Sequence, residues 1–96
     1  MSSIIDNLNK TFNSHIRLGI MSILSVNDSV DFRSMRDMLE LTDGNLASHL
    51  RTLEGGGYIV VNKKFVGRKP NTSYAITDEG RSAFKVHLNA LEKLIG

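Results

Sequence analysis

Four polar side chains that are uncharged at neutral pH repeat through the middle of the chain at helical spacing: Asn45, Ser48, His49 and Thr52. Residues three, four and seven positions apart lie on one face of an α-helix, so these four form a single polar stripe. Each is short enough to hydrogen-bond base edges in the major groove, where Asn pairs with adenine. The polar stripe predicts a DNA-reading surface, flanked by Arg51, which can reach guanine or phosphate.

A polar face is also what any solvent-exposed helix needs, so the alternative is a surface helix without a partner. Such faces usually carry Lys and Glu four residues apart, which stabilise the helix through ion pairs. The polar stripe contains no such pair. The missing charges therefore favour base contact over simple solvation.

The neighbouring Ser48 and His49 come closest to a catalytic pair. Consecutive helical residues point about 100° apart, so the imidazole cannot reach the position that activates a serine hydroxyl. The three histidines are scattered along the sequence and there is no cysteine, which argues against a metal site. We therefore predict no enzymatic activity and no cofactor.

A second candidate group is basic and falls in a stretch, from residue 55 to residue 77, that contains no acid: Lys63, Lys64, Arg68 and Lys69. Exposed cations on a hairpin neutralise DNA phosphates or enter a minor groove, which gives salt-dependent affinity with little sequence information. Lysines also protect an edge strand against aggregation, but that role does not account for all of these bases. Contact with phosphates is the favoured interpretation.

The charge of the whole chain hides this concentration of bases. Residues 44–77 hold five bases against one acid, a net charge of +4, while the other residues hold seven bases against nine acids, a net charge of −2. The sum is only +2. A concentrated positive region predicts a polyanionic partner, although charge alone does not distinguish DNA from RNA or an acidic protein.

Length and composition limit the fold that positions these side chains. The chain has 96 residues, of which 41% are hydrophobic and 23% charged, so we predict one globular domain over residues 1–96. No stretch is apolar enough to span a membrane, and the first residues lack the basic start and apolar run of a signal peptide. We therefore expect a cytoplasmic protein.

The first half of the chain is predicted to be helical. Apolar residues at helical spacing indicate two helical segments, or one bent helix, up to about Val26. A short bridging strand follows at residues 30–32. Within it, Asp31 is placed to cap a second helix that ends near Glu40.

A third helix is predicted over about residues 43–54. Thr42 can cap its first turn, and the glycines at 55–57 must end it, since glycine weakens helix propagation. Its buried face is formed by the apolar residues at helical spacing opposite the polar stripe: Leu46, Leu50 and Leu53.

The pattern then changes to that of a β-hairpin. Residues 58–65 and 72–76 are rich in β-branched and aromatic side chains, and a turn at 66–71 contains Gly and Pro. Thr77 can cap a last helix over 78–96. The predicted fold is mainly α with a small β-hairpin: a winged helix-turn-helix with additional N- and C-terminal helices, whose wing is the hairpin at about 58–76.

Three stretches of sequence carry a family resemblance. Residues 15–24, 41–59 and 66–81 read HIRLGIMSIL, LTDGNLASHLRTLEGGGYI and VGRKPNTSYAITDEGR. They resemble winged-helix transcriptional regulators of bacteria and archaea in the MarR/ArsR-like group, above all its small single-domain DNA-binding members. The resemblance implies that the polar stripe lies on the recognition helix, that Arg68 and Lys69 lie on the wing, and that the terminal helices form a homodimer.

Two features depart from the pattern of that group. Glycines occupy positions 55–57, where such proteins more often have a polar residue, Ala and then Gly. This departure bears on the rigidity of the junction and not on the fold. The chain also lacks Cys and clusters of His, so the metal-sensing role of some ArsR-like members is not implied.

The ends of the chain carry more apolar residues than a small three-helix core needs: Ile4, Ile5, Leu8, Leu88, Leu91, Leu94 and Ile95. We expect segments 1–13 and 78–96 to form a homodimer. Such a dimer presents two recognition helices to successive major grooves, about 34 Å apart, on an approximately palindromic site of double-stranded DNA. The alternative is that the terminal helices only cover their own core.

The function predicted from these features is sequence-specific binding of double-stranded DNA by a homodimeric transcriptional regulator. Because winged helices also dock proteins, the alternative function is a protein-interaction module without specific DNA binding. No residue indicates a small-molecule effector, although a site between subunits stays open. Met21, Met35 and Met38 are predicted to fill the core rather than to line such a pocket.

Overall fold

The computed structural model describes residues 4–96. These form four α-helices and a three-stranded sheet: α1 (His15–Ser25), β1 (Val30–Asp31), α2 (Phe32–Leu39), α3 (Asp43–Gly55), β2 (Ile59–Val66), β3 (Lys69–Ile76) and α4 (Asp78–Ile95). Two short 3₁₀ helices, Ile4–Asn7 and Lys10–Phe12, precede α1. The predicted winged helix-turn-helix is confirmed, with α2 and α3 as the helix-turn-helix and the β2–β3 hairpin as the wing.

Each α-helix begins at a side chain that caps its first turn. Asp31, Thr42 and Thr77 accept a hydrogen bond from the backbone N–H three residues later, at 3.1, 3.2 and 2.8 Å. Such caps satisfy N–H groups that have no partner within the helix. These three predicted caps are confirmed, and Ser14 provides a fourth at the start of α1, at 3.4 Å.

The glycines after α3 turn the chain from helix to strand. Gly55 is the last residue of α3, and Gly57 has a φ of +80°, in the left-handed region that glycine adopts without a Cβ clash. The Tyr58 N–H then donates to the Leu53 carbonyl at 3.1 Å. The junction is therefore a hydrogen-bonded turn that leads directly into β2.

The wing spans the predicted residues, but its second strand is longer and its turn tighter than the sequence predicts. β2 pairs with β3 from Ile59 opposite Ile76 to Val66 opposite Lys69, so the turn consists of residues 67 and 68. The predicted turn over 66–71 is wrong, because Pro70 lies within β3. β1 pairs with β3 only at residues 73 and 74, so β3 has an open edge at Pro70, where a missing N–H is tolerated.

The core lies where α1, α3 and the sheet meet, with the N-terminal segment and α4 packed onto it. Its buried residues are Phe12, Ile20, Met21, Leu24, Met35, Leu46, Leu50, Leu53, Ile59, Tyr74 and Phe84. Met21 and Met35 fill it as predicted, but the prediction for Met38 is wrong, because that side chain is 55% exposed. α2 packs through Phe32, Met35 and Leu39, and Met38 is rotated away from that face.

The N-terminal segment is tied to the core by single side chains rather than by an α-helix. The Asn9 backbone N–H donates to His87 Nδ1 at 2.9 Å. The Asn9 side chain donates to the Tyr58 hydroxyl at 3.2 Å and accepts from the Thr11 N–H at 2.9 Å. These bonds fix residue 9 between the two 3₁₀ helices and prevent a continuous helix. The first three residues of the predicted dimerisation segment 1–13 lie outside the described residues.

Candidate nucleic-acid interface

Helix α3 presents three residues of the polar stripe to solvent. Asn45, Ser48 and Thr52 are exposed, while the leucines on the opposite face are buried in the core. The Thr52 hydroxyl donates to the Ser48 carbonyl at 3.2 Å, which fixes its rotamer and leaves its oxygen able to accept a hydrogen bond. Arg51 is also exposed, and it forms no ion pair with any part of the chain that the structure describes.

His49 is the member of the polar stripe that faces inward. Its ring is half-buried, and Nδ1 lies 2.9 Å from Nη1 of Arg17 on α1. Arginine can only donate, so Nδ1 accepts and the neutral ring carries its proton on Nε2. Burial, and then the positive charges of Arg17 and His15, lower the pKa of His49, which keeps the ring neutral.

Arg17 joins α3 to the N-terminal segment. Besides contacting His49, its Nε donates to the backbone carbonyl of Thr11. The guanidinium therefore bridges two elements that the sequence separates widely. His49 is part of this bridge, and its role in positioning α3 was not evident from the helical spacing that placed it in the polar stripe.

The predicted basic residues of the wing are all exposed. Lys63 and Lys64 lie near the middle of the hairpin, opposite residues 72 and 71, while Arg68 and Lys69 lie at its turn. Side chains alternate along a strand, so Lys63 and Lys64 project from opposite faces. None of the four forms an ion pair within residues 4–96. Their charges are therefore available to an external anion.

A concave surface of about 670 Å³, here called the α2–wing groove, separates the wing from α2 and the start of α3. Lys63 and Lys69 line its wing side, and Arg33 and Arg36 line its α2 side. In the sequence these two arginines belong to the acidic remainder of the chain, but the fold brings both next to the wing. Arg36 is paired with Asp43 there, so Arg33 is the residue that extends the positive region beyond residues 44–77.

The turn between α2 and α3 is held by Arg36. Its guanidinium forms ion pairs with Asp43 at 2.8 Å and with Asp37 at 3.2 Å, and its side chain is 31% exposed. Since Asp43 is the first residue of α3, its carboxylate also interacts favourably with the positive end of that helix. This network fixes the angle between the two helices and uses the charge of Arg36 in doing so.

Neither a metal site nor a membrane span emerges from residues 4–96. No group of three or more His, Asp or Glu side chains there is arranged to hold a metal ion. None of the helices in that range combines the length and apolar character needed to cross a bilayer. The exposed polar stripe, the basic wing and the α2–wing groove are therefore the features from which a function can be argued.

A helix-turn-helix followed by a basic hairpin defines the winged-helix class of DNA-binding proteins. Residues 16–95 match the family described as winged helix DNA-binding domain. Uncharacterized protein MJ0432 of Methanocaldococcus jannaschii is 35% identical over 85 residues, which cover 88% of this chain and 92% of that protein. The chain belongs to the winged helix DNA-binding domain family.

Solved structures agree with this assignment. The structure of a transcriptional regulator homologue from Pyrococcus horikoshii OT3 has a TM-score of 0.78 and 36% identity, and the match covers 94% of each chain. Overoxidized AbfR bound to DNA has a TM-score of 0.77 at 15% identity, with 95% of this chain and 66% of that one covered, so that likeness concerns the fold alone. These matches confirm the predicted resemblance to winged-helix DNA-binding proteins.

Proposed function

We propose that this protein is a homodimeric transcriptional regulator that binds double-stranded DNA sequence-specifically. Helix α3 enters the major groove and reads base edges with Asn45 and Ser48, with Thr52 and Arg51 near the same bases or their phosphates. The wing contacts the phosphate backbone or the adjacent minor groove. The 36% identical Pyrococcus horikoshii structure is described as a transcriptional regulator homologue, and AbfR was solved bound to DNA, which supports this proposal.

The observation that carries the proposal is the arrangement of α3 and the wing around one positive surface. The first residue of α3, Asp43, and two wing lysines line the same α2–wing groove, so α3 and the wing can approach one duplex together. A 13-residue helix is about 20 Å long and, with side chains, about as wide as the major groove. An exposed face of short polar residues beside unpaired cations fits DNA better than it fits a protein surface.

The proposed dimer is supported by apolar side chains that the described core leaves uncovered. Ile95 is 87% exposed, and further exposed apolar side chains occur on the same side of α4 and in the N-terminal segment: Ile5, Leu88 and Leu94. The protein measures 55 × 25 × 21 Å. A second copy packed along α4 would cover these side chains and place two α3 helices on one duplex.

The proposal assigns base contacts to α3 and phosphate contacts to the wing, and substitutions test this distinction. Asn45→Ala should reduce discrimination between sequences by roughly 1 to 3 kcal/mol per lost base contact. The double substitution Arg68→Ala and Lys69→Ala should instead weaken binding to all duplexes and make the negative slope of log K against log salt less steep by about one to two units per bound protomer. Fluorescence anisotropy with duplexes of different sequence, measured over a range of salt concentrations, gives both quantities.

A matched control removes charge far from the wing in sequence. Lys85→Ala and Lys93→Ala, on α4, change the net charge by the same amount as the wing double substitution, and sedimentation velocity checks that this control has the same oligomeric state as the unsubstituted protein. The proposal fails if this control lowers the salt slope as much as the wing substitutions do. It also fails if the unsubstituted protein binds duplex DNA without any dependence on salt, a result that would favour the protein-interaction alternative.

A further inference from the structure

We propose that the α2–wing groove binds one DNA strand through its phosphates, and that Arg33 contacts a phosphate from the α2 side. The inference rests on the proposed function and extends it to a surface that lies outside both the polar stripe and the wing turn. The first helix of a helix-turn-helix crosses the DNA backbone, and the inference names the residue of α2 that contacts a phosphate there.

The groove lies where a DNA strand must pass if α3 and the wing bind adjacent grooves of one duplex. If α3 occupies the major groove and the wing reaches the adjacent minor groove, the strand that separates these grooves must pass between the two elements. The α2–wing groove is the concave surface at that place, because Asp43 at the start of α3 and Lys63 and Lys69 of the wing line it together. Its volume of about 670 Å³ is large enough for a segment of backbone.

The charges that line the groove suit an extended anion. Arg33, Lys63 and Lys69 are exposed and form no ion pair with the described residues. Arg33 lies on the α2 side and the two lysines lie on the wing, so a strand between them can be contacted from both sides. A guanidinium also forms two parallel hydrogen bonds to a phosphate, which fixes the position of the strand.

The two carboxylates of the groove are already occupied within the protein. Asp31 caps α2 and accepts from the Ser34 N–H at 3.1 Å and from the Ser34 hydroxyl at 2.6 Å. Those hydrogen bonds lower the pKa of Asp31, so it is ionised but satisfied at neutral pH. Asp43 is paired with Arg36 at 2.8 Å. Asp31 keeps its negative charge, but the three cations of the groove without an ion pair among the described residues, Arg33, Lys63 and Lys69, outweigh it.

The test compares single arginines and a distant lysine in the full-length chain. Arg33→Gln should lower the slope of log K against log salt by about 0.9 per bound protomer, and should weaken binding at low salt by roughly fivefold without changing sequence preference. Lys93→Gln makes the same charge change outside the groove, about 160° around α4 from the exposed Ile95. It should leave the slope nearly unchanged, provided that sedimentation velocity shows the variant to be a dimer like the unsubstituted protein. Arg36→Gln should lower the slope less than Arg33→Gln, because two aspartates already balance Arg36.

A second measurement identifies the contact on the DNA. Single phosphates of a bound duplex of about 30 base pairs are replaced in turn by uncharged methylphosphonates, which remove one contact without changing a base. For the unsubstituted protein, replacement should weaken binding at a phosphate between the major groove that α3 protects and the adjacent minor groove. For Arg33→Gln, replacement at that phosphate should have a smaller effect, because only the wing lysines still contact it. Circular dichroism of each variant confirms that it folds.

The outcomes separate this inference from the proposed function. If Arg33→Gln retains the original slope of log K against log salt while the wing double substitution makes it less steep, the groove is not a phosphate-binding site and the proposed function stands. The same conclusion follows if the methylphosphonate effect is equal with and without Arg33. If the unsubstituted protein does not bind duplex DNA, both proposals fail together.

Discussion

Arg17 is predicted to stabilise the fold and also to help keep His49 on α3 neutral by lowering its pKa. Its guanidinium donates to the carbonyl of Thr11 and to His49 Nδ1, with the latter distance 2.9 Å. The substitution Arg17→Ala removes both donors and leaves two half-buried acceptors without a protein partner. The effect is therefore expected at both ends of the bridge, in the N-terminal segment and in α3.

The expected magnitude follows from these contacts. Hydrogen bonds to charged groups contribute about 1.5 to 3 kcal/mol when buried, and partial exposure reduces this, so Arg17→Ala should cost about 2 kcal/mol. For a domain of this size that loss lowers Tm by about 10 °C. Arg81→Ala is the matched control, because Arg81 makes one exposed hydrogen bond, at 3.0 Å, to the carbonyl of Ser25. It should cost less than about 1 kcal/mol.

Thermal unfolding and NMR titration of the histidine rings measure the two effects. Burial is the largest cause of the lowered His49 pKa and the charge of Arg17 is the next, so Arg17→Ala should raise that pKa while leaving it below the usual value. Equal losses of stability in Arg17→Ala and Arg81→Ala, together with an unchanged His49 pKa, would refute the reasoning. The bridge would then be a surface contact without structural consequence.

Two further predictions concern stability. A Cβ on Gly80 would lie 2.0 Å from the Tyr58 carbonyl oxygen, so Gly80→Ala should destabilise the protein by several kcal/mol in urea unfolding. A Cβ on Gly44 meets open space, so Gly44→Ala should be neutral or stabilise the protein by up to about 1 kcal/mol. Similar losses of stability in both variants would contradict this prediction. Burial lowers the pKa of His49 and His87, so the unfolded state takes up protons first as pH falls. The contribution of the two histidines to the free energy of unfolding should therefore be fully present above about pH 6.5 and decrease below it, by at most about 1.4 kcal/mol per pH unit for each histidine. A midpoint of urea unfolding that stays constant or rises as the pH falls from about 7 to about 5 would show that the rings are not held neutral.

The fold was largely predictable because short-range signals agree along this chain. Asp31, Thr42 and Thr77 each precede an apolar helical pattern, and each caps the expected helix. The change from helical to alternating periodicity after residue 57 correctly located the wing. Gly67, which has a φ of +68°, marks its turn. Local propensity and the hydrophobic pattern indicate the same structure, which is the condition under which sequence reasoning works.

What the sequence did not show depends on contacts between distant residues. Helical spacing placed His49 with the polar stripe, but its partner Arg17 lies 32 residues earlier in the chain. Counting charge by sequence separated Arg33 from the wing, whereas the fold places it across the groove from Lys63 and Lys69. The N-terminal segment forms two short 3₁₀ helices instead of an α-helix, because Asn9 between them bonds to the distant His87 and Tyr58. Periodicity reports the faces of one element and contains no information about which elements meet.

Selection of bound sequences from a random pool of duplexes tests the central claim most directly, because it examines binding, specificity and symmetry in one measurement. The account predicts that the recovered duplexes share two similar half-sites in inverted orientation, with centres about 10 base pairs apart. It also predicts that added salt weakens their binding steeply. Recovered duplexes that are no more alike than the starting pool would contradict the claim that α3 reads base pairs.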